Sequence, residues 1–241
     1  MRRISKVPGV AALAWTAVLA SEPALAQEVV RVPTDASFSV QAADLPDCRD
    51  SERLHLTFGG RPIAPPRAAV EAIMPYQLRV TGDVNDPEDM WMELPAGAGC
   101  EGAPLEAGVA VVPAALSGLS VDISLAAQTG GPFTQMARLR DSGQCTPLDG
   151  GRVGCAGSTD AGGQAVRVTA VIASDPTALT SDGLPLFVIC QEADGQMFCE
   201  ASGVRSGIGF KTLSWGSGLP SVEEIRTVYE AVDSAFEAWA D

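Results

Sequence analysis

One histidine, His55, has to serve any mechanism in this chain that needs an imidazole. Asp47, Asp50 and Glu52 lie close enough in sequence to orient it, and serines are plentiful. Such a set could run nucleophile–base hydrolysis, in which a hydroxyl attacks while the imidazole takes its proton. Two features argue against that chemistry. No G-x-S-x-G nucleophile elbow occurs, and His55 falls on the outward phase of a predicted strand, where surface histidines are commonplace.

The stretch Gly82 to Leu94, GDVNDPEDMWMEL, concentrates Asp83, Asn85, Asp86, Glu88, Asp89 and Glu93. Oxygen donors at alternate positions are what a calcium loop supplies. The fit fails where it should be strict, because Pro87 and Glu88 occupy the fifth and sixth positions and the sixth should be glycine. A solvated acidic turn is the better reading, with Asp83, Asp86 and Asp89 as the weak cation candidates. Trp91 beside it is either a binding aromatic or a half-buried strand residue.

The six cysteines are Cys48, Cys100, Cys145, Cys155, Cys190 and Cys199. They include no C-x-x-C, and His55 lies near Cys48 alone, so zinc, iron–sulfur and redox sites lack their ligand spacing. The glycine-rich run from Gly203 to Gly209 follows a hairpin and opens no helix, so it lacks the context of a phosphate loop. No cofactor is expected.

An even number of cysteines in an exported chain implies a disulfide framework. Apolar runs flank Asp194-Gly195, a dipeptide suited to a two-residue hairpin turn because both positions need φ > 0. That turn sets Cys190 opposite Cys199 in a non-hydrogen-bonded pair, close enough for a disulfide. Asp149-Gly150-Gly151 likewise fits a three-residue hairpin loop that sets Cys145 opposite Cys155, on an edge because Pro147 cannot donate. Cys48 and Cys100 pair by elimination. In the chain-entropy account the short bridges each contribute about 2–3 kcal/mol and the long one about 4.

Period-two alternation predicts strands over Arg53–Phe58, Tyr76–Thr81, Leu119–Leu125 and Gln164–Ala173, with Leu54, Tyr76, Val121 and Val168 among the inward residues. Fainter strand signals cover Glu28–Val32, Met90–Leu94, Val109–Val112, Phe133–Leu139 and Gly207–Trp215. One helix is predicted. Ser221 and Glu224 form a capping box, and Val222, Ile225, Val228, Val232, Phe236 and Trp239 follow at helical spacing. The expected fold is α+β: mostly antiparallel β, with this amphipathic helix packed on the Cys190–Cys199 hairpin. Thr129-Gly130-Gly131-Pro132 is the best internal boundary. It would separate a lobe at 27–130 from one at 131–241, if the chain is not one continuous domain.

Residues 1–26 read as a secretory signal: Arg2, Arg3 and Lys6, an apolar centre, then Ala24-Leu25-Ala26 before the cut. Cleavage near Ala26 would deliver the protein to the periplasm, or outside the cell, with no transmembrane anchor. It removes three basic residues and one acidic one, turning a net charge of −14 into −16, with 13 basic against 29 acidic residues. Lys211 is then the only lysine. Such a field repels nucleic acid. These features point to a disulfide-stabilised, non-catalytic binding or envelope-accessory protein whose partner is an envelope or extracellular component. The alternative is a periplasmic hydrolase built on His55 with a serine or carboxylates.

Overall fold

The computed structural model describes residues 28–48, 52–76, 79–83, 86, 89–116, 119–161, 164–181, 183–193, 196–216 and 218–240. The residues read as a secretory signal, and Asp194-Gly195, where a hairpin turn is expected, lie outside them.

The hairpins form where the sequence places them. Strands β10 (Cys145–Leu148) and β11 (Arg152–Ala161) pair with Cys145 opposite Cys155, across a loop whose Gly150 and Gly151 have φ of 73° and 72°. β12 (Gln164–Ala173) follows, then β13 (Phe187–Ala193) and β14 (Gln196–Arg205), where Ala193 faces Gln196 and Cys190 faces Cys199. Disulfides join Cys48–Cys100, Cys145–Cys155 and Cys190–Cys199, with Cα atoms 5.3, 4.0 and 4.1 Å apart. The two short separations are those of the closer kind of cross-strand pair.

From β14 the sheet continues through β15 (Ile208–Gly216) to β9 (Leu119–Leu125) and β8 (Leu105–Leu116). β8 then meets β3 (Leu56–Phe58) in parallel, and β3 pairs with β4 (Arg61–Ile63). β8 also pairs with β5 (Ala72–Pro75), which carries the two-residue β2 (Val40–Gln41). Strands from both sides of residue 130 are therefore hydrogen-bonded neighbours. A separate three-stranded sheet has the order β1 (Val29–Pro33), β7 (Trp91–Pro95), β6 (Arg79–Thr81).

Alternation along β13 shows why the main sheet has two buried faces. Val188 and Cys190 join the large core, while Phe187 and Ile189 point the other way. The large core takes Ile225, Tyr229, Val232, Phe236 and Trp239 of the C-terminal helix, Val222–Trp239. The opposite face is covered by a helix, α1 (Ala126–Asp141), whose Met136 and Leu139 lie among Cys155, Val168, Ala170, Ile172, Phe187 and Ile189.

Helix α1 corrects the strand expected over Phe133–Leu139. Gly130, Gly131 and Pro132 are poor helix formers, at about 1 kcal/mol for each glycine and 3 for proline, and so read as a break. Burial of Met136 and Leu139, 0% and 8% exposed, returns about 1.5–3 kcal/mol each. The sheet carries this helix, not its own propensity. Tyr76 is the other correction. Expected inward, it is 44% exposed, because Tyr76 lies in a bend that follows the end of β5.

The C-terminal helix, α2 (Val222–Trp239), starts as predicted. Ser221 Oγ accepts from the Glu224 N–H at 3.2 Å, and the Glu224 carboxylate accepts from the Ser221 N–H at 2.7 Å. Tyr229, which the apolar stripe omitted, is 4% exposed. Its hydroxyl proton is shared between the Phe187 and Ser202 carbonyls at 3.0 and 3.1 Å.

Candidate functional site

His55 sits between Leu54 and Leu56, both fully buried, and is itself half-buried. Its backbone is tied on both sides: the N–H donates to Gly99 O and the carbonyl accepts from Leu105 N–H, each at 2.9 Å. Two residues before His55, Arg53 donates to the Ala64 and Ala238 carbonyls at 2.8 and 3.0 Å. Both residues lie before β3, which begins only at Leu56 and so shortens the strand expected over Arg53–Phe58. Of the acids near His55 in sequence, Glu52 is exposed, and Asp50 lies outside the described residues.

Two backbone hydrogen bonds link the described aspartates of the acidic loop. Asp86 N–H donates to Asp83 O and Asp89 N–H to Asp86 O, at 2.9 and 3.0 Å. Gly82 makes the closure possible: its φ is 115°, and a Cβ there would lie 2.0 Å from the Asp89 carbonyl oxygen. Asp83, Asp86 and Asp89 are exposed. Asn85 and Glu88 lie outside the described residues. Among the described residues no three His, Cys, Asp or Glu side chains converge as metal ligands.

A cluster that the motif search missed lies on the α1 side of the sheet. Register places Ser202, Lys211 and Asp122 in one row across β14, β15 and β9. Lys211 Nζ reaches Glu200 Oε2 at 2.6 Å. Burial pushes the Asp122 carboxyl up, and Lys211 pulls it partly back. Among the described residues, Ser202 Oγ is buried with no hydrogen-bond partner. A serine opposite a lysine invites comparison with Ser–Lys nucleophilic catalysis. The geometry opposes it: the Glu200 carboxylate already engages Lys211 Nζ at 2.6 Å, and Ser202 is only 2% exposed. Beside the row, Gln135, Gln191, Glu200 and Phe198 line a cavity of about 110 Å³.

The described aromatic side chains fall into two main groups, with Phe198 half-buried between them. Phe58, Phe187, Phe210, Tyr229, Phe236 and Trp239 are at most 5% exposed, whereas Phe38, Tyr76 and Trp91 are exposed by 45, 44 and 37%. Phe38 has φ of 62°, a left-handed conformation that costs a bulky residue about 1–2 kcal/mol. Asp35 holds it there. Its carboxylate accepts from the N–H and hydroxyl of both Ser37 and Ser39, at 2.6 to 3.0 Å. Burial works against the charge, but these bonds outweigh it and hold the carboxyl down at about 2.

Pairing carries the three aromatics to one end of the N-terminal strands. Pro33 faces Trp91, and Thr34 N–H donates to Met90 O, which docks the 35–39 turn beside β7. Val40 faces Ile73 in antiparallel register, so the chain before Val40 runs alongside the chain after Ile73, where Tyr76 lies. Among the described residues no helix is long and apolar enough to cross a membrane. Comparison of the chain with models of known protein families, with characterised proteins and with solved structures finds no match in any of the three.

Proposed function

We propose that this is an exported binding or envelope-accessory protein, released to the periplasm or beyond by cleavage near Ala26, that acts through its exposed aromatic end and not by catalysis. One observation carries the reading: Phe38, Tyr76 and Trp91 are exposed in a chain only 5% aromatic, and Phe38 is held out against its backbone preference. Strain of that kind persists where the surroundings over-determine it, as at ligand clamps. Exposed tyrosine and tryptophan are also the residues that dominate protein interfaces. The acidic surface, with Asp83, Asp86 and Asp89 near Trp91 in the chain, favours a basic partner.

The rest of the chain serves as a cross-linked scaffold in this reading. Seating of α2 on the Cys190–Cys199 hairpin is supported by the Tyr229 hydrogen bonds to β14 and to Phe187. Co-purification from the envelope fraction tests the proposal. The unaltered protein and His55→Ala should retain the same partner, and a Phe38→Ser/Trp91→Ser variant should lose it while melting normally. A stable His55→Ala variant without function, beside an active aromatic variant, would replace this reading with the hydrolase.

A further inference from the structure

A second cavity, of about 200 Å³, opens between β4, the β14–β15 turn and the C-terminal end of α2. Its floor is apolar: Ile63, Ile208 and Phe236 are buried. Its lip carries Arg61 and the Ser206 hydroxyl. Ser206 and Gly207 form the turn with φ of 52° and 80°, the two positive values a type I′ hairpin needs. Glycine is required at 207 for a further reason. A Cβ there would come within 3.2 Å of Arg61 Nε, so the bare turn leaves room for the guanidinium.

Among the described residues, the charges around this lip have partners except for Arg61. Arg205 engages Asp233 at 3.5 Å and Glu237 at 3.4 Å. The last carbonyls of α2 are also taken, Ala238 O by Arg53 at 3.0 Å and Trp239 O by the Ala64 N–H at 2.7 Å. Arg53 thereby answers the negative end of the helix dipole. Arg61 meets no carboxylate among the described residues. In a chain with net charge −14, an arginine with no carboxylate partner among the described residues, set above an apolar floor, is a ready anion receptor.

We propose that this cavity binds a carboxylate carried on a compact apolar body. Arg61 grips the carboxylate through its planar fork, Ser206 adds a hydroxyl donor, and the body rests on Ile63, Ile208 and Phe236. Size sets the class. An apolar protein cavity of about 150 Å³ accommodates benzene, so this one takes a ring or branched chain plus its carboxylate. Both a free aromatic or branched monocarboxylic acid and the C-terminal residue of a polypeptide present that chemistry. The site shares no residue with the aromatic end and does not depend on its role.

Calorimetric titration of the purified protein with benzoate, benzyl alcohol and benzylamine tests the proposal. Benzoate should saturate in the millimolar range or below, the alcohol should bind about tenfold more weakly, and the amine more weakly still. Arg61→Gln should weaken benzoate about tenfold or more without changing the melting temperature or the affinity for benzyl alcohol. Arg61→Lys, which keeps the charge and loses the fork, should fall between. A peptide ending in phenylalanine that binds better than benzoate, and fails when amidated, assigns the polypeptide source. The reverse order assigns the free acid. Benzoate that does not saturate, three probes that bind alike, or an Arg61→Gln variant with unchanged benzoate affinity would overturn the proposal.

Discussion

Asp35 holds Phe38 in its left-handed conformation: the Phe38 N–H donates to the Asp35 carbonyl at 2.9 Å, while the Asp35 carboxylate gathers Ser37 and Ser39 around the turn. Phe38 contributes little to the core, since its side chain is 45% exposed. The turn therefore spends its hydrogen bonds on presenting an aromatic ring rather than on burying one.

This clamp titrates. The Asp35 carboxyl sits at about 2 in the folded protein against 3.8 ordinarily. A depressed carboxyl contributes stability that is present above the unfolded value and lost as pH falls through the folded one. Asp35→Ala should lower the melting temperature near neutral pH by about 2–4 °C. That difference should shrink as the pH is taken from 4 towards 2. A gap that stays constant over that range would show that the charge does not hold the turn.

The disulfide framework can be read directly by peptide mapping without reduction. The expected linked pairs are Cys48 with Cys100, Cys145 with Cys155, and Cys190 with Cys199. A Cys145–Cys190 link, or free thiols, would contradict both the hairpin registers and the fold. Because the two short bridges lie across adjacent strands, reduction should release less stability from each than from the Cys48–Cys100 loop, which spans 52 residues.

Lys211 offers a third measurement. It stands opposite Asp122 and binds Glu200, so Lys211→Met leaves a partly buried carboxylate without its counter-charge. A loss of about 1–3 kcal/mol is expected at neutral pH. Burial already raises the Asp122 carboxyl, and removing the lysine raises it further. The loss should accordingly be greatest at high pH and fade on acidification, as Asp122 takes up a proton. Adding Asp122→Asn should recover part of it at neutral pH. Destabilisation indifferent to pH would mean that Lys211 acts by packing alone.

Legibility followed the range over which each signal acts. Alternation inside one strand was enough for β9 and β12, whose bounds agree with the sequence reading. Turn chemistry and cysteine spacing gave the two hairpin registers, and a capping box gave the start of α2. Helix α1 was hidden, because its Gly-Gly-Pro run signals a turn and only the sheet beneath rewards the helix. The Ser202–Lys211–Asp122 row was hidden for a different reason. Lys211 and Asp122 meet through the pairing of β15 with β9, and no local pattern announces which distant strands will be neighbours. Alternation along Leu119–Leu125 sets Asp122 on the face opposite Val121, and Lys211 is one of only two lysines in the sequence, but neither feature makes them a pair. Phe38 gave no sign, since a left-handed phenylalanine follows from the bonds Asp35 makes.

The C-terminal helix gives the most discriminating stability experiment, because three of its residues make separable contributions. Phe236 is buried against Trp239 and Phe210, with ring centroids 5.8 and 6.4 Å away. Its truncation to alanine should cost about 3–5 kcal/mol. Tyr229→Phe keeps the ring, which stands edge-on to Phe210 at 5.7 Å, and deletes only the hydroxyl. That leaves the Phe187 and Ser202 carbonyls without their shared donor, a loss of about 1–3 kcal/mol for a buried polar group. Burial raises the Tyr229 hydroxyl well above the ordinary tyrosine value, so it stays a donor through the alkaline range and this loss should not vary between neutral and mildly basic pH. Glu230→Ala on the exposed side should change little. Thermal melts should therefore rank Phe236→Ala as most damaging, Tyr229→Phe next, and Glu230→Ala near the unaltered protein. If Tyr229→Phe melts like Glu230→Ala, the helix is not anchored through its hydroxyl, and the apolar stripe alone must hold it to the sheet.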